Sequence, residues 1–209
     1  SEDPGGTGVI TAPPGLLALG NPRIATNSVC ADAGLTGGWI SLSTDIDGQS
    51  RQIGPAPDIG CDEIFPADLT GSLSVAIRPS TTNAVTGGSV LLESDINGPA
   101  GGCVWDLGDG EFATSLPRIL KAYASTGDFK VVLSAWNNDE TASATTTIHV
   151  VAGYTNYVSP SGGHNPPFEN WADAATNIQE AISANAYAGG VVLVTNGLYD
   201  TGTIPAAGD

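Results

Sequence analysis

An all-β protein with one helix is predicted by three observations. The first is composition: 28 glycines and 14 prolines stand beside few charged residues and many Thr, Ser, Val and Ala. That balance favours short strands joined by many turns. The second is a two-residue alternation of apolar side chains that sets in near Leu73 and recurs as far as Val151, the period of a strand with one face buried. The third is one stretch in which Trp171, Ala174, Ala175, Ile178, Ala181 and Ile182 recur at three and four, which puts them on one face of a helix.

The elements follow in order. Up to about residue 22 the chain is rich in Gly and Pro, and Pro13-Pro14 denies the backbone a helical entry. Irregular coil with a short strand or turn is expected around Leu16-Leu17-Ala18-Leu19. From Asn21 to Glu63 alternation is scarce and turns are frequent, at Gly37-Gly38, Asp47-Gly48, Gly54-Pro55 and Pro57, so neighbouring layers must hold these short pieces. Leu73, Val75 and Ile77 then share one strand face, and Pro79 ends that strand. Val90 to Leu92 opens a second strand, which Asn97-Gly98 turns. Cys103-Val104-Trp105 is a third, stopped by Asp106-Leu107-Gly108-Asp109-Gly110. Between Phe129 and Trp136 one face carries Phe129, Val131, Leu133 and Ala135, the other Lys130, Val132, Ser134 and Trp136. After the turn Asn137-Asn138-Asp139-Glu140 comes a strand from Ala144 to Val151. Strands at this spacing over about 85 residues predict a small antiparallel sandwich. Beyond Gly153, Tyr154 to Val158 is strand-like and Ser161 to Pro167 is loop. The helix is expected over about 171–186 and is stopped by Gly189-Gly190. Val191-Val192-Leu193-Val194 is a short, wholly apolar strand before Asn196-Gly197, and it wants cover on both faces.

With 22 acidic and 6 basic side chains the net charge is −16. Phosphate backbones and anionic membrane surfaces repel such a chain, and no apolar run is long enough to cross a bilayer. Nucleic acid and membrane insertion are therefore not expected. The absence of methionine leads us to expect a processed chain or a piece of a longer one. Three cysteines, Cys30, Cys61 and Cys103, allow at most one internal disulfide and leave an odd thiol. No Cys/His spacing suggests zinc, and His149 and His164 are isolated and read as structural.

The stretch Val104-Trp105-Asp106-Leu107-Gly108-Asp109-Gly110, followed by Tyr123, Gly127-Asp128-Phe129, Val131-Val132-Leu133 and Asn137, resembles the PKD domain. Lys121 stands where that family usually has His, and Phe129 replaces its second Tyr. The resemblance implies an immunoglobulin-like sandwich for residues 67–152. The flanks resemble a second family, the secreted right-handed parallel β-helix proteins of pectate-lyase-like type. Asn27 to Gly34, Thr44-Asp45-Ile46-Asp47-Gly48-Gln49-Ser50-Arg51 and Pro57-Asp58-Ile59-Gly60-Cys61-Asp62-Glu63 are similar to their closing segment. Tyr157-Val158-Ser159, Trp171 to Ala175, Ile178 to Ile182 and Gly197-Leu198-Tyr199 are similar to their opening one. This reading implies that residues 1–66 are the C-terminal end of one β-helix and that 153–209 are the N-terminal cap and first coils of another.

Such a unit is expected to be joined in series, with copies of itself or with neighbouring repeats, as part of a secreted or cell-surface fibre or adhesin. Open strand edges pair unless capped, and head-to-tail contacts that do not close make filaments. The interface residues expected are Val191, Val192, Leu193, Val194, Leu198 and Tyr199. Two other roles stay open: a polysaccharide-binding surface and a fragment of a polysaccharide-degrading enzyme. Lyase chemistry needs a Lys or Arg base, yet the β-helix-like flanks carry only Arg23 and Arg51, so an enzyme is not expected and no catalytic residue is assigned. Arg51 is expected to pair with Asp45, Asp47 or Glu63.

Calcium is the one cofactor left open, at Asp45 and Asp47, because alternate carboxylates before a glycine can converge on a hard cation. The competing account makes them turn carboxylates that accept backbone amides, and the same holds for Asp95 with Asn97 and for Asp106 with Asp109. Trp136 is a candidate partner or sugar contact if its sheet face is open, or a covered ring if it is not. Trp105 reads as core and Trp171 as a pin between the helix and the first coil; Trp39 is unassigned. Cys30 and Cys61, in the same β-helix-like segment, are the disulfide candidates in an oxidising compartment, against buried reduced thiols.

Overall fold

The computed structural model describes residues 10–19, 21–37 and 43–199; Trp39 lies outside them. The described chain is mostly β. Its strands are β1 (Ser74–Pro79), β2 (Asn83–Val85), β3 (Ser89–Asn97), β4 (Gly102–Asp106), β5 (Phe112–Thr114), β6 (Arg118–Ala122), β7 (Gly127–Trp136), β8 (Thr141–Val151), β9 (Thr155–Val158) and β10 (Val191–Val194), with one short helix, α1 (Ile178–Ala184). They form sheets of order β1-β3-β6, β2-β8-β7-β4-β5 and β10-β9. The first two make an immunoglobulin-like sandwich. Sequence periodicity missed β2, β5 and β6, since three-residue strands and the edge run Arg118–Ala122 carry too few alternations to register.

By contact the chain divides into two compact units. One comprises the residues up to Pro79 with Leu91–Leu120 and Lys130–Thr147; the other comprises Ser80–Val90, Lys121–Phe129 and the chain from Ile148. In the first unit β1 runs antiparallel to β3 with Val75 opposite Ile96, and β4 lies antiparallel between β5 and β7, with Cys103 opposite Ala135. Period two sends Leu92 and Ile96 of β3, Cys103 and Trp105 of β4, and Val131, Leu133 and Ala135 of β7 inward, all buried. The turn after β4 follows from its aspartates. Asp106 Oδ1 accepts the Gly108 amide at 2.9 Å and Asp109 Oδ1 the Glu111 amide at 3.2 Å. Gly108 has φ of +81°, and a Cβ there would lie 2.7 Å from the Lys130 carbonyl oxygen, so only glycine fits. The turn after β7 is anchored likewise: Asn137 Oδ1 accepts the amides of Asp139 and Glu140, and the Asp139 and Glu140 carboxylates accept those of Gly71 and Leu73.

Ahead of the 3-10 turn Pro66–Asp68 the described residues contain no strand, only the bridges Leu16–Ile24 and Thr44–Ser50. This segment buries Leu17, Ala18, Ile24 and Ala25, and Ser94 Oγ of β3 donates to the Leu17 carbonyl at 2.7 Å.

In the second unit β2 pairs with β8 in parallel, Asn83 opposite His149, an exception to the antiparallel expectation. Tyr123 and Phe129 stack with centroids 4.1 Å apart. Ala188 exchanges backbone bonds with β2, from its amide to the Asn83 carbonyl and from the Val85 amide to its own carbonyl, both 3.0 Å. β9 and β10 form a parallel pair, Val191 opposite Thr155 through Val194 opposite Val158, over a core of Val158, Phe168, Ala175 and Ala181. The helix is shorter than expected. The Ala175 amide donates to the Tyr157 carbonyl and its carbonyl accepts the Ser159 amide, so its backbone is committed to β9 and cannot enter a helical ladder. The helix instead starts behind Asn177, whose side chain accepts the Gln179 amide at 2.8 Å.

Candidate functional site

The acidic segment is built from carboxylates that accept backbone N–H groups. Asp45 Oδ1 accepts the amides of Asp47 and Gln49 at 2.9 and 2.8 Å, and its Oδ2 accepts that of Glu63. Asp58 accepts from Asp32 and Ile64, and Glu63 from Ile53 and Asp58. All three acids are buried, and charge-assisted bonds of this kind are what offset their lost hydration. Asp47 is ion-paired with Arg23, which also approaches Asp62 at 3.9 Å. Burial, opposed by Arg23, pushes the Asp62 carboxyl above the usual aspartate range. Asp45 and Asp47 thus act on turn amides and on Arg23, and among the described residues no group of three or more His, Cys, Asp or Glu converges on a metal position. The expected partners of Arg51 are corrected: its guanidinium donates to the carbonyls of Asp58 and Gly60 at 3.0 and 2.9 Å, and Arg23 takes the Asp47 carboxylate. Asp95 is held by Arg78 and Asn97.

The C-terminal strand divides the expected interface residues into two sets. Val191, Leu193 and Val194 are exposed and Leu198 is 79% exposed. Val192 and Tyr199 pack on the core of this unit, and the Tyr199 hydroxyl donates to the Thr195 carbonyl at 2.9 Å. The Val191 amide donates to the carbonyl of Tyr154, just ahead of β9, and the Thr195 amide to that of Val158. In a parallel pair the alternate residues, Val192 and Val194, point their backbone groups the other way. Among the described residues β10 pairs only with β9, so that outer edge carries no strand.

Trp136 is 40% exposed but is seated over Gly102, its partner across β4, where a Cβ would lie 2.6 Å from the indole. The ring occupies the space a side chain would fill, which accounts for both residues. Cys30, Cys61 and Cys103 are free thiols, and this corrects the disulfide candidate. The Ile59 amide donates to the Cys30 carbonyl, but Cys30 is buried while Cys61, after Gly60 at φ +146°, is exposed. Burial also raises the Cys103 thiol pKa. A thiol reagent at neutral pH is expected to label Cys61 alone in the folded protein and all three after denaturation. Equal rates at three thiols in native buffer would contradict this burial pattern.

These sheets define an immunoglobulin-like β-sandwich. Within it, residues 74–150 match the family model of the PKD domain. No curated protein matches the chain. Among solved structures it is similar to a β-sandwich carbohydrate-binding module, with 27% identity over 41% of this chain and TM-score 0.37. It spans only 37% of that structure. It is also similar to the PKD1 domain of Vibrio anguillarum Epp (19% identity, 39% of this chain, 95% of that one, TM-score 0.34). A third is the PKD domain of the human VPS10 domain-containing receptor SorCS2 (22%, 56%, 93%, TM-score 0.29). No helix among the described residues is long and apolar enough to cross a membrane.

Proposed function

We propose that this chain is a structural module of a secreted or cell-surface fibre or adhesin, joined in series with copies of itself or with neighbouring repeats. The single observation that carries this reading is the outer edge of β10. It is a parallel strand with Val191, Leu193 and Val194 exposed and Leu198 following, and an edge that no other described residue pairs with is a template for a further strand. The PKD match at residues 74–150 supports an extracellular setting, since such domains are typically found outside the cell. The net charge of −16 favours a well-solvated outer surface. The β-helix character of the C-terminal flank belongs to this proposal, with the parallel β9–β10 pair as its support; that of residues 1–66 is part of the proposal without a strand among the described residues to support it.

Val194→Pro tests it. The substitution removes an outward-pointing N–H and leaves the donors toward β9 in place, whereas Val192→Asp would put a charge into the core of the unit. Wild-type chain is expected to form concentration-dependent polymers in negative-stain micrographs and light scattering. Val194→Pro should stay monomeric with an unchanged circular dichroism spectrum. Wild-type chain that remains monomeric at every concentration would overturn the proposal, as would polymers that survive the proline.

A further inference from the structure

We infer that the lobe between Gly163 and Asp173 carries a glycan-binding platform centred on Trp171, with neutral hexopyranose chains as its ligand class. Trp171 reads from sequence as a pin between the helix and the first coil; in the structure it is 48% exposed. Its ring meets Tyr157 edge-on, with centroids 4.6 Å apart, so the indole is held in place without being covered. The lobe beneath it is rigidly fastened. The amides of Gly163, His164 and Asn165 donate to the carbonyls of Ala172, Ala174 and Asp173 at 2.7, 3.0 and 3.1 Å. Phe168 is buried under the lobe. His164 Nδ1 accepts the Thr176 amide while its Nε2 faces Glu180 at 2.9 Å.

His164 and Phe168 both hold positive φ, 55° and 66°, and backbone strain of this sort persists only where the surroundings over-determine it. Two residues on from Trp171, Asp173 accepts hydrogen bonds from Asn165 Nδ2 at 3.0 Å and from Asn170 Nδ2 at 2.8 Å. Each carboxamide keeps a second N–H and each carboxylate oxygen a second lone pair. A half-exposed ring within two residues of fixed amide and carboxylate groups suits a sugar, whose C–H face stacks while its hydroxyls both donate and accept. Charge narrows the class. Glu169 and Asp173 lie within the lobe and Glu180 faces its His164, and no Lys or Arg occurs after Lys130. Uronic or sulfated chains would therefore meet repulsion with no compensating cation.

The test is affinity electrophoresis of the whole chain in gels containing hydroxyethyl cellulose, galactomannan or polygalacturonate, together with a cellohexaose titration followed by NMR. Retardation is expected in at least one neutral gel and not in polygalacturonate, and Trp171→Ala should weaken it by about tenfold or more. Trp136→Ala should migrate as wild type. Because Trp171→Ala could loosen the lobe, Trp171→Phe serves to assign the indole N–H resonance, which cellohexaose or the corresponding mannan oligomer should shift in the wild-type protein. Four results would overturn the inference: no retardation in either neutral gel, retardation in polygalacturonate alone, retardation indifferent to Trp171→Ala, or an unmoved Trp171 resonance on saturation.

Discussion

Trp105→Ala is expected to lower stability by about 4 kcal/mol, the usual cost of removing a large aromatic from a packed core. Trp105 is fully buried on β4, opposite Leu133 on β7 and Ala113 on β5. Its Nε1 donates to the Leu116 carbonyl at 2.9 Å. Truncation opens a cavity that two sheets cannot collapse into and leaves that carbonyl without its donor. Trp105→Phe should keep most of the packing and lose only the hydrogen bond, a cost of about 1–2 kcal/mol. Urea unfolding followed by circular dichroism gives both values. A loss under about 1.5 kcal/mol for the alanine variant would mean the indole is not a core residue.

Asp58→Ala is expected to cost about 3 kcal/mol, because it strands two backbone donors at once. The Asp58 carboxylate accepts the Asp32 amide at 2.7 Å and the Ile64 amide at 2.8 Å, and its own amide is held by Glu63. Loss of these bonds frees two stretches of a segment that has no strand ladder of its own. Asp58→Asn should cost nearly as much, since one of the two oxygens becomes an NH2 group facing an N–H. The same unfolding curves separate this account from the calcium reading of Asp45 and Asp47. If backbone amides are the ligands of these acids, the midpoint should be the same in EDTA and in calcium. A midpoint that falls on chelation would return the segment to the metal reading.

Legibility along the chain followed the range of the interactions involved. The strands at Val90–Leu92 and Cys103–Trp105, the two faces of β7 and the turn at Asp106 to Gly110 could be read directly, because alternation and turn chemistry are local. Helix α1 was misjudged in length: the spacing of Trp171, Ala174 and Ala175 is helical, but a parallel partner at Tyr157 takes the Ala175 backbone. Cys30 and Cys61 lie in the same β-helix-like segment, yet the course of the chain around Gly60 leaves one buried and the other in solvent. The roles of Asp58 and Glu63 left no periodic signal, since their partners lie 5 to 26 residues away.

The sequence by itself determined a β-rich acidic chain, a sandwich with a PKD-like turn and aromatic pair, the apolar strand at Val191–Val194, and a surface charge hostile to nucleic acid. The composition, charge and strands depend on residue type or on spacings of two to four, which a linear string carries; the PKD-like turn and aromatic positions come from the family resemblance. Only the tertiary structure decided that Val192 and Tyr199 face inward while Val191, Leu193 and Leu198 face out, that Trp136 fills the space above Gly102, and that Trp171 stands half in water. Those outcomes depend on which distant backbone arrives beside each side chain, and no periodicity encodes that arrival.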